Sequence, residues 1–330
     1  MTPVLEVKDL RVEFPTRHGS LVAVDGVSFA IAPGEVLGVV GESGAGKSLT
    51  GTAIIGLLEP PGRVGTGEIR LEGERIDRLP HERMRRIRGR RIGAIFQDPL
   101  TSLNPLYTIG AQLVETIRTH LDLSAGAARE RALALLGEVG IPAPEARIDH
   151  YPHQFSGGMR QRVVIALALC AEPRLIIADE PTTALDVSIQ AQIIQLLKRL
   201  AREHGTAVML ITHDMGVIAE TVDRIAVMYA GRIAEIGPVR EVIAAARHPY
   251  TVGLMGAIPK IRRAGAVREP LVQIEGAMPR LNAIPRGCAF HPRCAKSFAR
   301  CRSERPELRA AGANLAACWL YDERPAPAPA

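Results

Sequence analysis

Short apolar runs recur along the first two thirds of the chain. Val36–Val40 and Ala207–Ile211 are almost entirely apolar, as are residues 92–96 and 175–178. Continuous apolar runs of this length are typical of strands that are buried on both faces of a parallel sheet. The sequence therefore predicts four such strands.

A different pattern precedes them. Residues 4–10 and 21–31 alternate apolar and polar positions, and the intervening segment contains His18-Gly19. Alternation with a period of two predicts strands with one buried face, here joined by a turn at His18-Gly19.

Between Gln97 and about residue 171 the character becomes helical. Residues 109–121, 127–139 and 157–171 have helical periodicity and are separated by Pro and Gly, and Val187–His204 is a further amphipathic segment. Strands interleaved with helices predict an α/β fold with a parallel sheet, with a helical insert over about residues 98–172.

The periodic pattern weakens after Pro238. Residues 260–330 are rich in Arg, Pro and Cys, and the chain ends in alternating Pro and Ala, which predicts an extended or disordered tail. We place a domain boundary near residue 255, with residues 1–255 as one domain and 256–330 as a C-terminal extension.

Composition and charge limit the classes of protein to which this chain can belong. The 330 residues are 47% hydrophobic and 23% charged, which is ordinary for a globular protein and excludes a disordered or coiled-coil chain. No apolar run reaches the ~18–20 residues that a membrane helix needs, and the N-terminus lacks a signal-peptide layout, so we expect the chain to stay in the cytoplasm. The net charge of +6 permits anionic partners without requiring them.

A glycine-rich segment supplies the strongest chemical signal. Gly41-x4-Gly46-Lys47-Ser48 follows the buried run Val36–Val40 and precedes an apolar segment that predicts a helix to about Leu58. Glycines at these positions let backbone N–H groups surround phosphate oxygens at a helix N-terminus. We expect Lys47 to reach the β- and γ-phosphates and the Ser48 hydroxyl to bind Mg²⁺.

A second phosphate-related signal lies at the end of another apolar run. Residues 175–178 lead directly into Asp179-Glu180. A carboxylate at the end of a buried strand is where a phosphate-loop ATPase holds Mg²⁺, so Asp179 is the metal candidate. Glu180 is then placed to orient or deprotonate the attacking water.

A third motif identifies the family. Ser156-Gly157-Gly158-Met159-Arg160-Gln161 lies about 20 residues before Asp179 and resembles the signature motif of ABC-type ATPases. The usual motif has Leu and Gln where this chain has Phe155 and Met159, but the Ser-Gly-Gly that faces the γ-phosphate is intact. The resemblance covers about residues 4–255 and implies the ABC ATPase fold: a parallel sheet core, an antiparallel β subdomain and a helical insert.

The resemblance also assigns roles to single residues. It implies catalytic roles for Glu180, for Gln97 in the Q-loop and for the switch histidine His213, and it places Asp186 in the D-loop, Ala184-Leu185-Asp186. Magnesium would be held through Ser48, Gln97 and Asp179. The residues assigned to ATP binding are Phe14, as the aromatic that stacks on adenine, with Gly41, Ser43, Gly44, Gly46, Lys47, Ser48 and Leu49. Ser156, Gly157, Gly158 and Gln161 would contact the ATP bound by a partner in a head-to-tail dimer, whose closure makes hydrolysis a conformational step.

Further stretches resemble one class of ABC protein. Residues 96–105, 248–254 and 274–288 resemble the ATPase subunits of oligopeptide, dipeptide and nickel importers, and Leu100-Thr101-Ser102 resembles the first (D-type) ATPase of their pair. The resemblance implies as partners a second ATPase subunit, two membrane permeases and an extracytoplasmic solute-binding protein. It places the chain peripherally on the cytoplasmic face of the inner membrane.

Four of the five cysteines lie in the extension: Cys288, Cys294, Cys301 and Cys318. Four thiolates suit an iron–sulfur cluster or a structural zinc, although the C-x2-C spacing typical of zinc is missing. The extension resembles that of peptide-importer ATPases that ligate a [4Fe–4S] cluster, so a cluster is the first hypothesis, with zinc and metal-free thiols as alternatives. Cys170 stands apart in an apolar helix and is interpreted as a buried small hydrophobe.

The alternative function is a soluble ABC ATPase that acts on nucleic acid or the ribosome. Such proteins usually carry a long coiled-coil insert or two ATPase domains, and this chain has one set of motifs and no heptad stretch. The basic run from Arg83 to Arg91 lacks an aromatic stacking platform, which favours a solvated face near a permease or lipid headgroups over nucleic-acid binding. A non-catalytic nucleotide-binding scaffold is disfavoured because Glu180 and His213 are present.

Overall fold

The computed structural model describes residues 2–17, 19–183, 185–258 and 273–322. Its strands are β1 (Leu5–Thr16), β2 (Gly19–Ile31), β3 (Val36–Val40), β4 (Arg63–Leu71), β5 (Glu74–Arg75), β6 (Ile92–Ile95), β7 (Leu175–Asp179), β8 (Ala207–Ile211), β9 (Arg224–Tyr229), β10 (Arg232–Pro238), β11 (Arg309–Ala311) and β12 (Asn314–Ala316).

The helices complete the elements. They are α1 (Lys47–Ile54), α2 (His81–Ile87), α3 (Pro99–Ser102), α4 (Ile109–His120), α5 (Ala125–Glu138), α6 (Pro144–Arg147), α7 (Gly157–Leu169), α8 (Val187–His204), α9 (Met215–Thr221), α10 (Val239–Ala244), α11 (Pro249–Gly256) and α12 (Ala299–Ser303), with short 3-10 turns at Pro152–Gln154, Leu281–Ala283, His291–Arg293 and Trp319–Tyr321.

The strands form two sheets. An antiparallel sheet has the order β2-β1-β4-β5, and an eight-stranded sheet has the order β11-β12-β10-β9-β3-β8-β7-β6. In the larger sheet β6, β7, β8, β3 and β9 run parallel, whereas β10, β11 and β12 pair antiparallel. The predicted α/β fold with a parallel core and an antiparallel subdomain is confirmed.

The parallel strands are buried on both faces, as the apolar runs predicted. In β8, Ala207, Met209 and Ile211 pack into the core shared with the antiparallel sheet. The alternate residues Val208 and Leu210 pack into the core shared with the helical insert. Because successive side chains of a strand point to opposite faces, one apolar run supplies two cores.

The helices of the insert begin at polar caps. The side chains of Thr108, Ser124 and Ser156 each accept a hydrogen bond from a backbone N–H in the first turn of α4, α5 and α7, respectively. Such caps satisfy N–H groups that have no partner within the helix. Helix α1 is shorter than predicted, because Gly56 takes a positive φ of 65° just beyond its end.

The extension is not simply appended to the ATPase domain. Its strand β12 pairs with β10 through Glu235↔Ala316 and Ile236↔Leu315, and β11 extends the same sheet. The predicted boundary near residue 255 falls at the end of α11, and it stays a prediction. The alternating Pro and Ala residues 325–330, with which the predicted extended or disordered tail ends, lie outside the described residues, as do His18 and Ala184.

The basic run from Arg83 to Arg91 is in part structural. Arg88 donates to the carbonyl oxygens of Ile55 and Gly56 behind α1, and Arg91 pairs with Glu72 and Glu74. The interpretation of this run as a solvated face is therefore wrong for these two side chains, because backbone carbonyls and carboxylates already engage them.

Candidate functional site

The loop between β3 and α1 has the backbone that a phosphate cradle needs. Gly41 has a φ of 147°, and a side chain there would collide with the carbonyl oxygen of Met228. Gly46 precedes α1 with a φ of 97° and lies against the carbonyl oxygen of Ala23. No side chain caps the N-terminus of α1, so its free N–H groups and its dipole remain available to an anion.

Lys47 is folded back under this loop. Its Nζ donates to the carbonyl oxygens of Gly41 and Glu42, at 2.8 and 3.0 Å, and the residue is 6% exposed. Burial lowers the pKa of Lys47. An ammonium held on loop carbonyls at this position can turn to phosphate oxygens without a large movement of the backbone.

Two of the three residues predicted to hold magnesium, Ser48 and Asp179, are in direct contact. The Ser48 hydroxyl donates to Oδ1 of Asp179 at 3.0 Å, which joins the start of α1 to the end of β7. Burial, with a further contribution from the Glu180 carboxylate, raises the pKa of Asp179. A hydroxyl and a carboxylate at the mouth of a phosphate loop are suitable donors for Mg²⁺.

Glu180 is the centre of the predicted catalytic group. Its carboxylate accepts from Nε2 of Gln97 at 3.2 Å and from the Thr183 hydroxyl at 3.0 Å, and it lies 3.2 Å from Nδ1 of His213. Its backbone has a positive φ of 48°, which is unusual for a side chain with a Cβ. Gln97, His213 and Glu180 therefore converge, and Thr183 is a contact that sequence reasoning missed.

Most of these groups face one cavity of about 800 Å³, although Asp179 and Thr183 do not line it. Its lining includes the predicted ATP-binding residues Ser43, Gly44, Gly46, Lys47, Ser48 and Leu49 together with Gln97, Glu180 and His213. It also includes Met278, Pro279, Arg280 and Leu281 from the C-terminal extension, which were not predicted as site residues. The only sequence signal for them was the resemblance of residues 274–288 to peptide-importer ATPases.

Phe14 is not brought to this cavity. Its ring is half-buried and packs against Gly62, where an added Cβ would lie 2.7 Å from the ring. Its assignment as the adenine-stacking residue stays a prediction.

The signature segment lies elsewhere on the surface. Ser156 caps α7, and Ser156 and Gly157 are exposed and absent from the lining of the cavity. Gly158 packs against Ile189 of α8, close to the D-loop, where Asp186 is exposed at the start of that helix. Such a placement leaves the Ser-Gly-Gly free to meet a nucleotide bound by another chain.

Gln161 behaves differently from the rest of the signature segment. It is 1% exposed, and its Nε2 has no hydrogen-bond partner among the described residues. The predicted contact of Gln161 with the partner's ATP stays a prediction, and the burial of its side chain points to packing within its own chain.

The four extension cysteines line one small cavity with Phe290, Trp319 and Leu320. All are free thiols, and burial raises the pKa of Cys288 and of Cys318 to about 11. Among residues 2–17, 19–183, 185–258 and 273–322, no three His, Cys, Asp or Glu side chains are arranged to hold a metal ion.

No helix in the described part of the chain is long and apolar enough to span a membrane.

Solved structures with the same fold are cassettes of ABC transporters. The chain aligns with the ATP-binding cassette MJ0796, bound to ADP and Pi in a dimeric post-hydrolysis state, at a TM-score of 0.64 and 31% identity, over 72% of this chain and 99% of that one. It aligns with cbiO1 of Clostridium perfringens, part of the ABC transporter complex cbiONQ, at a TM-score of 0.64 and 28% identity, over 77% and 96% of the two chains.

Sequence comparison is more specific. A family model described as ABC transporter matches residues 24–183, and one described as the C-terminal region of oligopeptide/dipeptide transporters matches residues 234–301. The chain is 48% identical to the dipeptide transport ATP-binding protein DppD of Bacillus subtilis, over 98% of this chain and 96% of that protein. It is 46% identical to the oligopeptide transport ATP-binding protein OppD of Escherichia coli, over 96% and 93%. With its fold and its phosphate site, the chain belongs to the ABC transporter ATPases, in the group of oligopeptide/dipeptide transport ATP-binding proteins.

Proposed function

We propose that this chain is the ATP-hydrolysing subunit of a peptide importer and couples ATP binding and hydrolysis to uptake through separate membrane permeases. The observation that carries the proposal is that the phosphate loop, Gln97, Glu180 and His213 line one cavity, and that Ser48 of this lining contacts Asp179. Its two relatives described above are named as transporters of dipeptides and oligopeptides.

The loop binds the triphosphate. Backbone N–H groups at the start of α1 surround the phosphate oxygens, and Lys47 exchanges its loop carbonyls for the β- and γ-phosphates. Ser48 and Asp179 would hold Mg²⁺, which neutralises developing charge on the phosphates when it is bound. Gln97 would also help to hold Mg²⁺ once its side chain no longer donates its hydrogen bond to Glu180.

Glu180 acts on the attacking water. Its carboxylate lies at the mouth of the cavity and is 19% exposed, so water can reach it. The contacts from Thr183 and His213 fix its orientation, and a positioned carboxylate can accept the proton of the water as it attacks the γ-phosphate. His213 is then placed to contact the γ-phosphate.

Closure of a dimer completes the site. Because Ser156 and Gly157 are exposed and do not line their own chain's cavity, they serve the nucleotide held by a partner subunit. The partner is a second, related ATPase, and the pair sits beneath two permeases supplied by a binding protein, on the cytoplasmic face of the inner membrane. We expect the isolated chain to hydrolyse ATP slowly, because the site is complete only when the dimer closes.

The four cysteines are proposed to hold a [4Fe–4S] cluster, which is supported by their convergence on one apolar cavity. Cys288, Cys294, Cys301 and Cys318 would each supply one thiolate. Acid-labile sulfide in anaerobically prepared protein is the expected result. Stoichiometric zinc, or metal-free thiols, would contradict it.

Purification of the tagged chain from native membranes tests the transport proposal. Mass spectrometry is expected to recover two permeases, a second ATPase and a solute-binding protein, and addition of peptide-loaded binding protein is expected to stimulate ATP hydrolysis by the complex. Recovery of ribosomal proteins or nucleic acid, without permeases, would favour the alternative function.

A further inference from the structure

The C-terminal extension reaches the nucleotide cavity with a short segment, residues 278–281, which we call the strap. All four strap residues line the cavity that the phosphate loop lines, although more than 200 positions separate them in sequence. The Met278 side chain comes within 4.0 Å of where a Cβ on Gly44 would lie. At its other end the strap enters the turn Leu281–Ala283, which contacts β2.

The strap is fixed to the phosphate loop by one side chain. Arg293 donates to the carbonyl oxygens of residues 274–276, just before the strap, at 2.8–3.3 Å. The same guanidinium pairs with the Glu42 carboxylate at 3.1 Å and is only 8% exposed. The Glu42 N–H in turn donates to the Tyr250 hydroxyl at 2.9 Å. The position of the strap is therefore coupled to that of the loop.

The strap contains one charged side chain, that of Arg280. Arg280 is exposed, and its side chain has no hydrogen bond or ion pair with any residue that the structure describes. Among the described residues, the cavity lining contains two Lys or Arg residues: Lys47, buried under the loop, and the exposed Arg280. A free guanidinium at the mouth of a phosphate cradle is suited to phosphate oxygens, which it can meet with two N–H groups.

We propose that the strap is a wall of the nucleotide site and that Arg280 contacts the phosphates of bound ATP. The proposal rests on the proposed function, because it takes the cavity to be the ATP site. It makes the extension a contributor to nucleotide affinity, in addition to any role of its cysteines.

Nucleotide titration of the full-length chain tests this. We would measure the dissociation constants of ATP, ADP and adenosine for the wild type, Arg280→Ala, Arg280→Lys and the control Arg286→Ala, an exposed arginine of the same extension that does not line the cavity. Arg280→Ala is expected to weaken ATP binding about three- to tenfold, with a smaller effect on ADP and none on adenosine. Arg280→Lys should recover part of the loss, and Arg286→Ala should match the wild type.

The outcomes separate the two proposals. Lys47→Ala must abolish ATP binding if the cavity is the ATP site at all, so a wild-type chain that binds no ATP, or a Lys47→Ala variant that binds it normally, overturns both. If Lys47→Ala fails to bind while Arg280→Ala binds like Arg286→Ala, the strap proposal alone is wrong. Tighter binding by Arg280→Ala would also overturn it, because the strap would then obstruct the site. Thermal unfolding of each variant confirms that exposed Arg280 is not needed for folding.

Discussion

The phosphate loop, residues 41–48, is shaped by its own backbone, whereas the C-terminal extension, residues 273–322, is held by side chains that reach across the molecule. In the loop, positive φ angles at Gly41 and Gly46 set the curvature. In the extension, the Asn314 side-chain amide donates to buried Glu235 of β10, which also accepts from the N–H groups of Arg247 and His248. Arg293 ties the segment before the strap to Glu42 of the loop. A loop that is shaped by its own glycine backbone can be recognised from the local sequence. A segment that is held by side chains from distant parts of the chain cannot.

Gly41→Ala should produce the largest stability change. The residue needs a φ of 147°, and its added Cβ would overlap the carbonyl oxygen of Met228. We expect the free energy of unfolding to fall by about 3 kcal/mol, measured by denaturant titration.

Gly137→Ala is the matched control. This glycine lies inside α5, and an added Cβ would meet nothing within 4 Å. It should stabilise the chain by about 0.5–1 kcal/mol. Equal effects of the two substitutions would mean that the loop does not depend on its glycine backbone.

An intermediate effect is expected for the ion pair that joins the two regions. In a double-mutant cycle, Arg293→Met and Glu42→Gln should show a coupling free energy of about 1–2 kcal/mol, because the guanidinium is nearly buried. Denaturant unfolding of the four proteins measures it.

The exposed pair Arg129–Asp149 serves as the comparison. Its side chains are 45% and 65% exposed, so the coupling there should stay below about 0.5 kcal/mol. If the Arg293–Glu42 cycle gives a coupling no larger than this, the extension is not held to the loop as described.

The smallest effect concerns the thiols and leaves the fold intact. Burial raises the pKa of Cys288 and of Cys318 to about 11, so in metal-free protein their thiolate fraction at pH 8 is roughly one thousandth. Alkylation by iodoacetamide should therefore accelerate about tenfold per pH unit up to pH 10. A rate at pH 8 equal to that of a free cysteine peptide would contradict the burial of these thiols.

Several elements of the nucleotide site were predicted from the sequence, because each is encoded in a short continuous segment. The run Val36–Val40 and the following glycines predicted a strand, a loop and a helix, and β3 and α1 have that order. Residues 175–178 and Asp179-Glu180 likewise matched β7 and its end. The strands β4, β5, β9, β10, β11 and β12 were not predicted, although residues 225–229 of β9 form an apolar run of the same kind as β3.

The position of the strap and the pairing of β12 were not predicted, because both depend on contacts between distant parts of the chain. The segment before the strap is tied to the phosphate loop by the contact of Arg293 with Glu42, and β12 joins the sheet by pairing with β10. No spacing or periodicity in the sequence marks Arg293 and Glu42, or β12 and β10, as partners. Phe14 packs against Gly62 and does not line the cavity, and its assignment as the adenine-stacking residue stays a prediction.

The most direct test of the account is the rate of phosphate release by Glu180→Gln in the complex with its partner subunits, with the exposed Glu203→Gln as control. Glu180→Gln is expected to slow turnover by about 10²–10⁴-fold while ATP binding is retained and the dimer stays closed, and Glu203→Gln is expected to turn over normally. Unchanged turnover by Glu180→Gln would contradict the assignment of Glu180 and, with it, the mechanism proposed for this site.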